Sequence, residues 1–134
     1  MPSPINTPPF ATATAVTDGG ATETVVLTVN GIIVDPPQSR VLVTGMLQIT
    51  WGTGATAIEI KCRRGTTTSD TQVGSMLTST KPGTATSNLF PFAFDDTPGN
   101  VHDQSYVITV TEVSATADGT INYIAAQAFV SSQN

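Results

Sequence analysis

The sequence predicts an all-β protein, an antiparallel two-sheet β-sandwich of about eight strands with a jelly-roll-like arrangement. Three observations carry that prediction. Apolar residues fall on alternate positions in short runs, as they do when an extended chain shields one side of a sheet. Turn chemistry built on Gly, Pro, Asn and Asp interrupts those runs at intervals of about 10–15 residues. No stretch carries an apolar stripe of 3.6-residue period with caps at its ends. Composition agrees: roughly one residue in six of the 134 is threonine, and charged residues make up only 11%. β-branched side chains are stiff at χ1 and fit a pleated, half-buried surface.

Residues 1–9, Met-Pro-Ser-Pro-Ile-Asn-Thr-Pro-Pro, read as an extended arm ahead of a single domain over 10–134. Proline fixes φ and cannot donate to a ladder. Thr12–Val16 is a first short strand that ends at Gly19-Gly20. Thr24–Val34 places Val25, Leu27 and Val29 on one face, and Asn30-Gly31 within it is a type I′ turn pair or a bulge. Asp35-Pro36-Pro37 stops that segment. Arg40–Trp51 is the longest run, with Val41, Val43, Leu47, Ile49 and Trp51 on one face. Gly45 interrupts that face and marks a bulge or a close backbone approach.

After Gly52-Thr53-Gly54, Ala57–Arg63 alternates cleanly, with Ile58, Ile60 and Cys62 inward and Glu59, Lys61 and Arg63 outward. Gln72–Thr78 is a weaker strand. Ser87–Phe94 aligns Phe90, Phe92 and Phe94, and Pro91 among them demotes the run to an edge strand or a bulge. A loop over Asp95–Asp103 leads to Ser105–Val113, with Tyr106, Ile108 and Val110 on one face. Ala117-Asp118-Gly119 then turns into Thr120–Val130. The aromatic residues Trp51, Tyr106 and Tyr123 all read as inward.

The same residues bear on function. A net charge of −5 with five Lys and Arg provides no cationic groove for nucleic acid. No apolar run approaches the ~20 residues that span a bilayer as a helix. The amino terminus lacks the cationic and apolar regions of a secretory signal, and the single cysteine precludes an intrachain disulfide. The expectation is therefore synthesis in a reducing host cytoplasm without a signal peptide.

Candidate chemistry is sparse. One histidine, His102, and one cysteine, Cys62, cannot make a zinc or cupin-type site. An inward strand thiol is ordinarily inert. Asp95, Asp96, Asn100 and Asp103 are the one weak candidate set for a metal, Ca²⁺, although their spacing departs from the EF-hand and they are equally turn residues around Pro98-Gly99. Lys61, Arg63 and Arg64 form a modest basic patch, either a solvated face or a contact for an acidic partner. No catalytic or cofactor-binding set is expected; the chain reads as a protein that binds or assembles rather than an enzyme.

Val41-Leu42-Val43-Thr44-Gly45 through Trp51-Gly52-Thr53-Gly54, then Ile58-Glu59-Ile60-Lys61-Cys62-Arg63-Arg64-Gly65, resembles the small β-sandwich virion proteins of tailed bacteriophages. Pro98-Gly99-Asn100-Val101 leading into Gln104-Ser105-Tyr106-Val107-Ile108-Thr109-Val110 does so too. The resemblance covers residues 40–130 and lies in the style of the strands more than in a signature residue. It implies a capsid decoration or head-fibre subunit located in the virion. Such a subunit self-associates, as a homotrimer, and docks on a major capsid or other virion protein. Pro2, Pro4, Pro8 and Pro9 of the arm are the expected partner contacts. The alternative expectation is a carbohydrate-binding or adhesin module, for which Trp51 would be the stacking platform.

Overall fold

The computed structural model describes residues 8–132, so Pro2 and Pro4 of the arm lie outside the described residues. The alternating runs become eight strands: β1 (Phe10–Thr17), β2 (Thr24–Val34), β3 (Gln38–Thr50), β4 (Ala57–Arg64), β5 (Thr71–Thr80), β6 (Ser87–Asp96), β7 (Val101–Val113) and β8 (Thr120–Ser132). They pair antiparallel as β1 with β8, β2 with β7, β3 with β6 and β4 with β5. That is a long ribbon folded over on itself. β3 also pairs with β8, and β4 with β7, which joins the ribbon into two four-stranded sheets, β1-β8-β3-β6 and β2-β7-β4-β5. Apart from the β4–β5 hairpin, which stays within one sheet, successive strands alternate between the sheets, the double Greek key of a jelly roll.

The core lies between the two sheets. Val41, Val43, Leu47 and Ile49 of β3 and Ile121, Ile124, Ala126 and Ala128 of β8 fill it from one side. Tyr106, Ile108 and Val110 of β7 and Ile58, Ile60 and Cys62 of β4 fill it from the other. Each fully buried Ile, Leu or Val contributes about 1.5–3 kcal/mol of transfer free energy. Phe92 and Phe94 close the core beneath β6, which is an edge strand, as Pro91 requires of it.

Bulges change the alternation in three places. In β2 the register shifts between Val25 and Leu27, so Val26 and Leu27 are both buried and Val25 is only half-buried, contrary to the expected Val25–Leu27–Val29 face. Asn30-Gly31 does not reverse the chain: it is a second bulge in a continuous strand, with Gly31 at φ 76°. In β8 the register shifts across Asn122, which turns Ile121 and Ile124 inward and Tyr123 outward. Tyr123 is therefore exposed, not inward.

The expected loop over Asp95–Asp103 is shorter than the sequence suggests. β6 runs on through Asp96 and β7 begins at Val101, which leaves only residues 97–100 as the connection.

Gly45 fulfils the close-approach reading. A Cβ there would fall 2.0 Å from the Ala125 carbonyl oxygen of β8 and 2.8 Å from Phe92 Cζ. Gly45→Ala is therefore expected to destabilise the fold by roughly 1–3 kcal/mol through overpacking. Urea unfolding measures this, and an unchanged midpoint would contradict the packing described.

Candidate functional site

The two sheets treat their outer faces differently. On the β2-β7-β4-β5 sheet, charge covers the face. Arg63 donates to Glu23 from Nε at 2.7 Å and from Nη2 at 2.8 Å, and Lys61 Nζ donates to the same carboxylate at 3.3 Å. Val107 and Thr109, opposite Arg63 and Lys61 in the register, alternate with the core-facing residues of β7 and are still fully buried. The Arg63 hydrogen bond holds the Glu23 carboxyl down at about 2, against the pull of partial burial.

At the end of the same sheet, Arg64 makes a two-pronged contact with Asp96, at 2.8 Å from Nε and 2.6 Å from Nη2. The Tyr106 hydroxyl donates to Asp96 at 2.6 Å. Burial pushes the Asp96 carboxyl up, but the Arg64 and Tyr106 hydrogen bonds outweigh it and hold the group below its ordinary value. Lys61, Arg63 and Arg64 are thus neither a free solvated patch nor an unpaired contact for an acidic partner; each is matched to a carboxylate of the chain itself.

On the β1-β8-β3-β6 sheet no such cover exists among the described residues. The outward positions form cross-strand rows: Asp95–Leu42–Phe129, Ala93–Thr44–Gln127–Phe10, Pro91–Met46–Ala125–Thr12 and Leu89–Gln48–Tyr123–Thr14. Phe10 (59%) and Leu89 (58%) are the most exposed, and Leu42, Met46, Tyr123 and Phe129 join them. Outside this face, only Ile33 and Met76 are large apolar side chains left exposed among the described residues. The charges on the face stand at one end, where Arg40 Nε donates to Asp95 at 2.7 Å. A shallow open depression of about 290 Å³ lies between Phe10, Met46 and Ala125. Chemically the face offers apolar contact area and edge-strand amides.

The residues singled out in the sequence are dispersed. Asp95 and Asp96 are consecutive on a strand and face opposite ways, one to Arg40 and the other to Arg64 and Tyr106. Asn100 sits in the short loop and Asp103 is exposed on β7. Among the described residues, no group of three or more His, Cys, Asp and Glu could hold a metal ion. Cys62 is sealed in the core, where burial pushes its thiol up to about 12, while His102 stands at the surface against Asp35. Trp51 is half-buried, with Nε1 donating to Asn88 at 2.7 Å and its ring edge-to-face with Phe90 at 5.9 Å. Pro9 is laid along β8, its carbonyl accepting from Ala128 at 2.9 Å.

Sequence reasoning passed over the exposed face, although a signal existed. Val41-Leu42-Val43, Met46-Leu47 and Phe92-Ala93-Phe94 are apolar at both parities, the pattern of a sheet shielded on both sides.

The sequence matches no described protein family and no curated protein, so the resemblance to phage virion proteins rests on the motifs quoted above. Among solved structures, the chain is similar to the enzymatically active domain of tailspike protein 4 of bacteriophage CBA120, at 15% identity and a TM-score of 0.30 over 92% of this chain and 18% of that one. It is also similar to a chain of infectious bursal disease virus, Gx strain, at 12% identity and a TM-score of 0.35 over 96% of this chain and 43% of that one. The Gt strain gives 13% identity and 0.29 over 95% and 41%. This chain spans less than half the length of each of them.

Because Glu23 is held at about 2, its contribution is present above its ordinary value near 4.5 and is lost as pH falls toward 2. Glu23→Gln is expected to cost about 1–2 kcal/mol at neutral pH, after allowance for solvent screening, and to flatten the acid limb of stability. Urea midpoints between about pH 2 and pH 6 measure this, and an equally steep acid limb in the variant would contradict it.

Proposed function

We propose that this chain is a non-enzymatic viral structural protein, a capsid decoration or head-fibre subunit. It associates with copies of itself through the outer face of the β1-β8-β3-β6 sheet and docks on the virion surface. The observation that carries the reading is the uncovered apolar face: among the described residues, six of the eight large apolar side chains left exposed lie on it. Contiguous apolar surface of this kind marks a contact site in a protein that is otherwise well covered. Four strands about 4.8 Å apart over about nine residues at about 3.3 Å give a flat footprint of roughly 570 Å². A standard interface buries about 800 Å² per partner, so the face with its rim suits a subunit contact in a small closed oligomer.

A homotrimer is the proposed state, with a major capsid protein as the docking partner and residues 1–9 as the attachment. Pro8 and Pro9 enter β1 beside Phe10, so the arm leaves from the rim of the same face. In a ring, burying this face also covers the adjacent β1 and β6 edges, which otherwise invite open-ended strand pairing. The carbohydrate-binding alternative loses Trp51 as its platform, since that ring is committed to Asn88 and Phe90, and would have to rest on the exposed Tyr123 instead.

Sedimentation velocity tests the reading. The wild type is expected to run as a trimer at about 10 μM, within the ordinary range for such contacts. Met46→Glu combined with Phe129→Glu is expected to give a monomer with an unchanged circular dichroism spectrum. A wild type that is monomeric throughout that range would overturn the proposal.

A further inference from the structure

Three loops meet at one end of the sandwich, over a pair of buried acids. Asp18 follows β1 and is 1% exposed; Glu112 lies on β7 beneath it and is fully buried. Asp18 Oδ1 accepts the backbone N–H groups of Gly20 and Gly119, both at 2.9 Å. Glu112 Oε1 accepts the N–H of Gly52 at 2.8 Å. The backbone ties the same segments together: Asp18 N donates to Gly119 O at 3.1 Å and Glu112 N to Gly20 O at 2.7 Å. The second oxygen of each acid, Asp18 Oδ2 and Glu112 Oε2, is buried with no hydrogen-bond partner. Glycines make the room for this: a Cβ on Gly119 would fall 2.4 Å from Glu112 Oε2, and one on Gly52 would fall 2.1 Å from the Ala117 carbonyl.

Two interacting buried carboxylates, each with an unpartnered oxygen, cannot both carry charge at low cost, whereas one proton between them satisfies both. No cation relieves them. Among the described residues no ion pair involves Asp18 or Glu112. From the β7–β8 turn the adjacent charged group is the exposed Asp118, whose Oδ1 lies close to Gly20 and adds negative charge. From the β1–β2 loop Glu23 is engaged by Lys61 and Arg63 on the outer face. From β4 it is Ile58 that pairs with Glu112, its neighbour Glu59 being on the outward side, and the segment of β3 before Gly52 carries no charge. Lys81, whose backbone meets Thr56 of the β3–β4 loop, makes no ion pair with either acid.

We infer that Asp18 and Glu112 share a single proton across their two free oxygens, and that this bridge latches the β1–β2, β3–β4 and β7–β8 loops until alkaline pH removes it. Glu112 is the partner that carries the proton. Burial, reinforced by Asp18, pushes the Glu112 carboxyl up to about 7. The latch secures the carboxyl end of β1, the edge strand that presents Phe10, so β1 is the first strand to loosen when the latch opens.

A folded-state value raised above the unfolded one means that the stabilisation is complete below about 4.5 and is lost as pH rises through about 7. The unfolding equilibrium constant of the wild type should therefore rise with pH across that window, by up to about 300-fold. Glu112→Gln keeps an acceptor for Gly52 and donates to Asp18, so urea unfolding of this variant should show the rise reduced to less than about tenfold. Asp18→Asn is the second variant and should behave in the same way. In the wild type itself, the infrared band of a buried protonated carboxylic acid should be present near pH 6 and gone near pH 9. The inference is overturned by no such band near pH 6, by an undiminished rise in both variants, or by a fall in stability on adding EDTA near pH 6, which would place a metal ion between the acids.

Discussion

Each sheet of this protein can bury one face in the space between them, and everything else follows from that constraint. With a side-chain period of two, a strand that turns Val41, Val43, Leu47 and Ile49 into the core must turn Leu42, Thr44, Met46 and Gln48 out. The core is closed and apolar to its limits, so the chain has no interior left in which to hide a second set of apolar side chains. What stands on the outward positions is then a surface property, and the two sheets resolve it in opposite ways.

On one side, charge is the cover. Lys61 and Arg63 pair with Glu23 over the outer face of that sheet and Arg64 with Asp96 at its end, whereas the Arg40–Asp95 pair stands at one end of the other sheet. The long stems of Lys61 and Arg63 allow their heads to reach Glu23 while shielding apolar surface below. On the other side, threonine, glutamine and alanine alternate with large apolar residues, and none of the described residues lies over them. A protein with so few charges can keep a large uncharged face in water only if that face is intermittently polar or occupied. Thr44, Gln48 and Gln127 supply the polar interruptions, and the second copy proposed above would supply the occupancy.

Much of the fold is legible in the sequence because it depends on local pattern. The eight strands, the edge position forced by Pro91 and the close approach at Gly45 each need only a few neighbouring residues to be read. Tyr123 is misread because a single bulged residue, Asn122, reverses the side on which it emerges, and no local signal distinguishes that bulge from plain alternation. The acidic stretch Asp95-Asp96 reads as loop because its partners, Arg40 and Arg64, lie 55 and 32 residues away in sequence. Two aspartates are poor strand residues until a guanidinium reaches each of them. Asp18 and Glu112 are invisible for the same reason, being brought together only when three loops converge. The apolar face was open to reading, in strands that are apolar at both parities, but only to a reader who asks what covers the second side.

The claim at the centre of this account is that another copy of the chain covers the outer face of the β1-β8-β3-β6 sheet. Oxidative footprinting of Met46 and Met76, the two exposed methionines among the described residues, at low and high protein concentration tests it within one molecule. Met46 lies on that face and Met76 on β5 of the opposite sheet. The account predicts that Met46 becomes protected as concentration rises while Met76 stays reactive. Equal reactivity of the two at every concentration would contradict it.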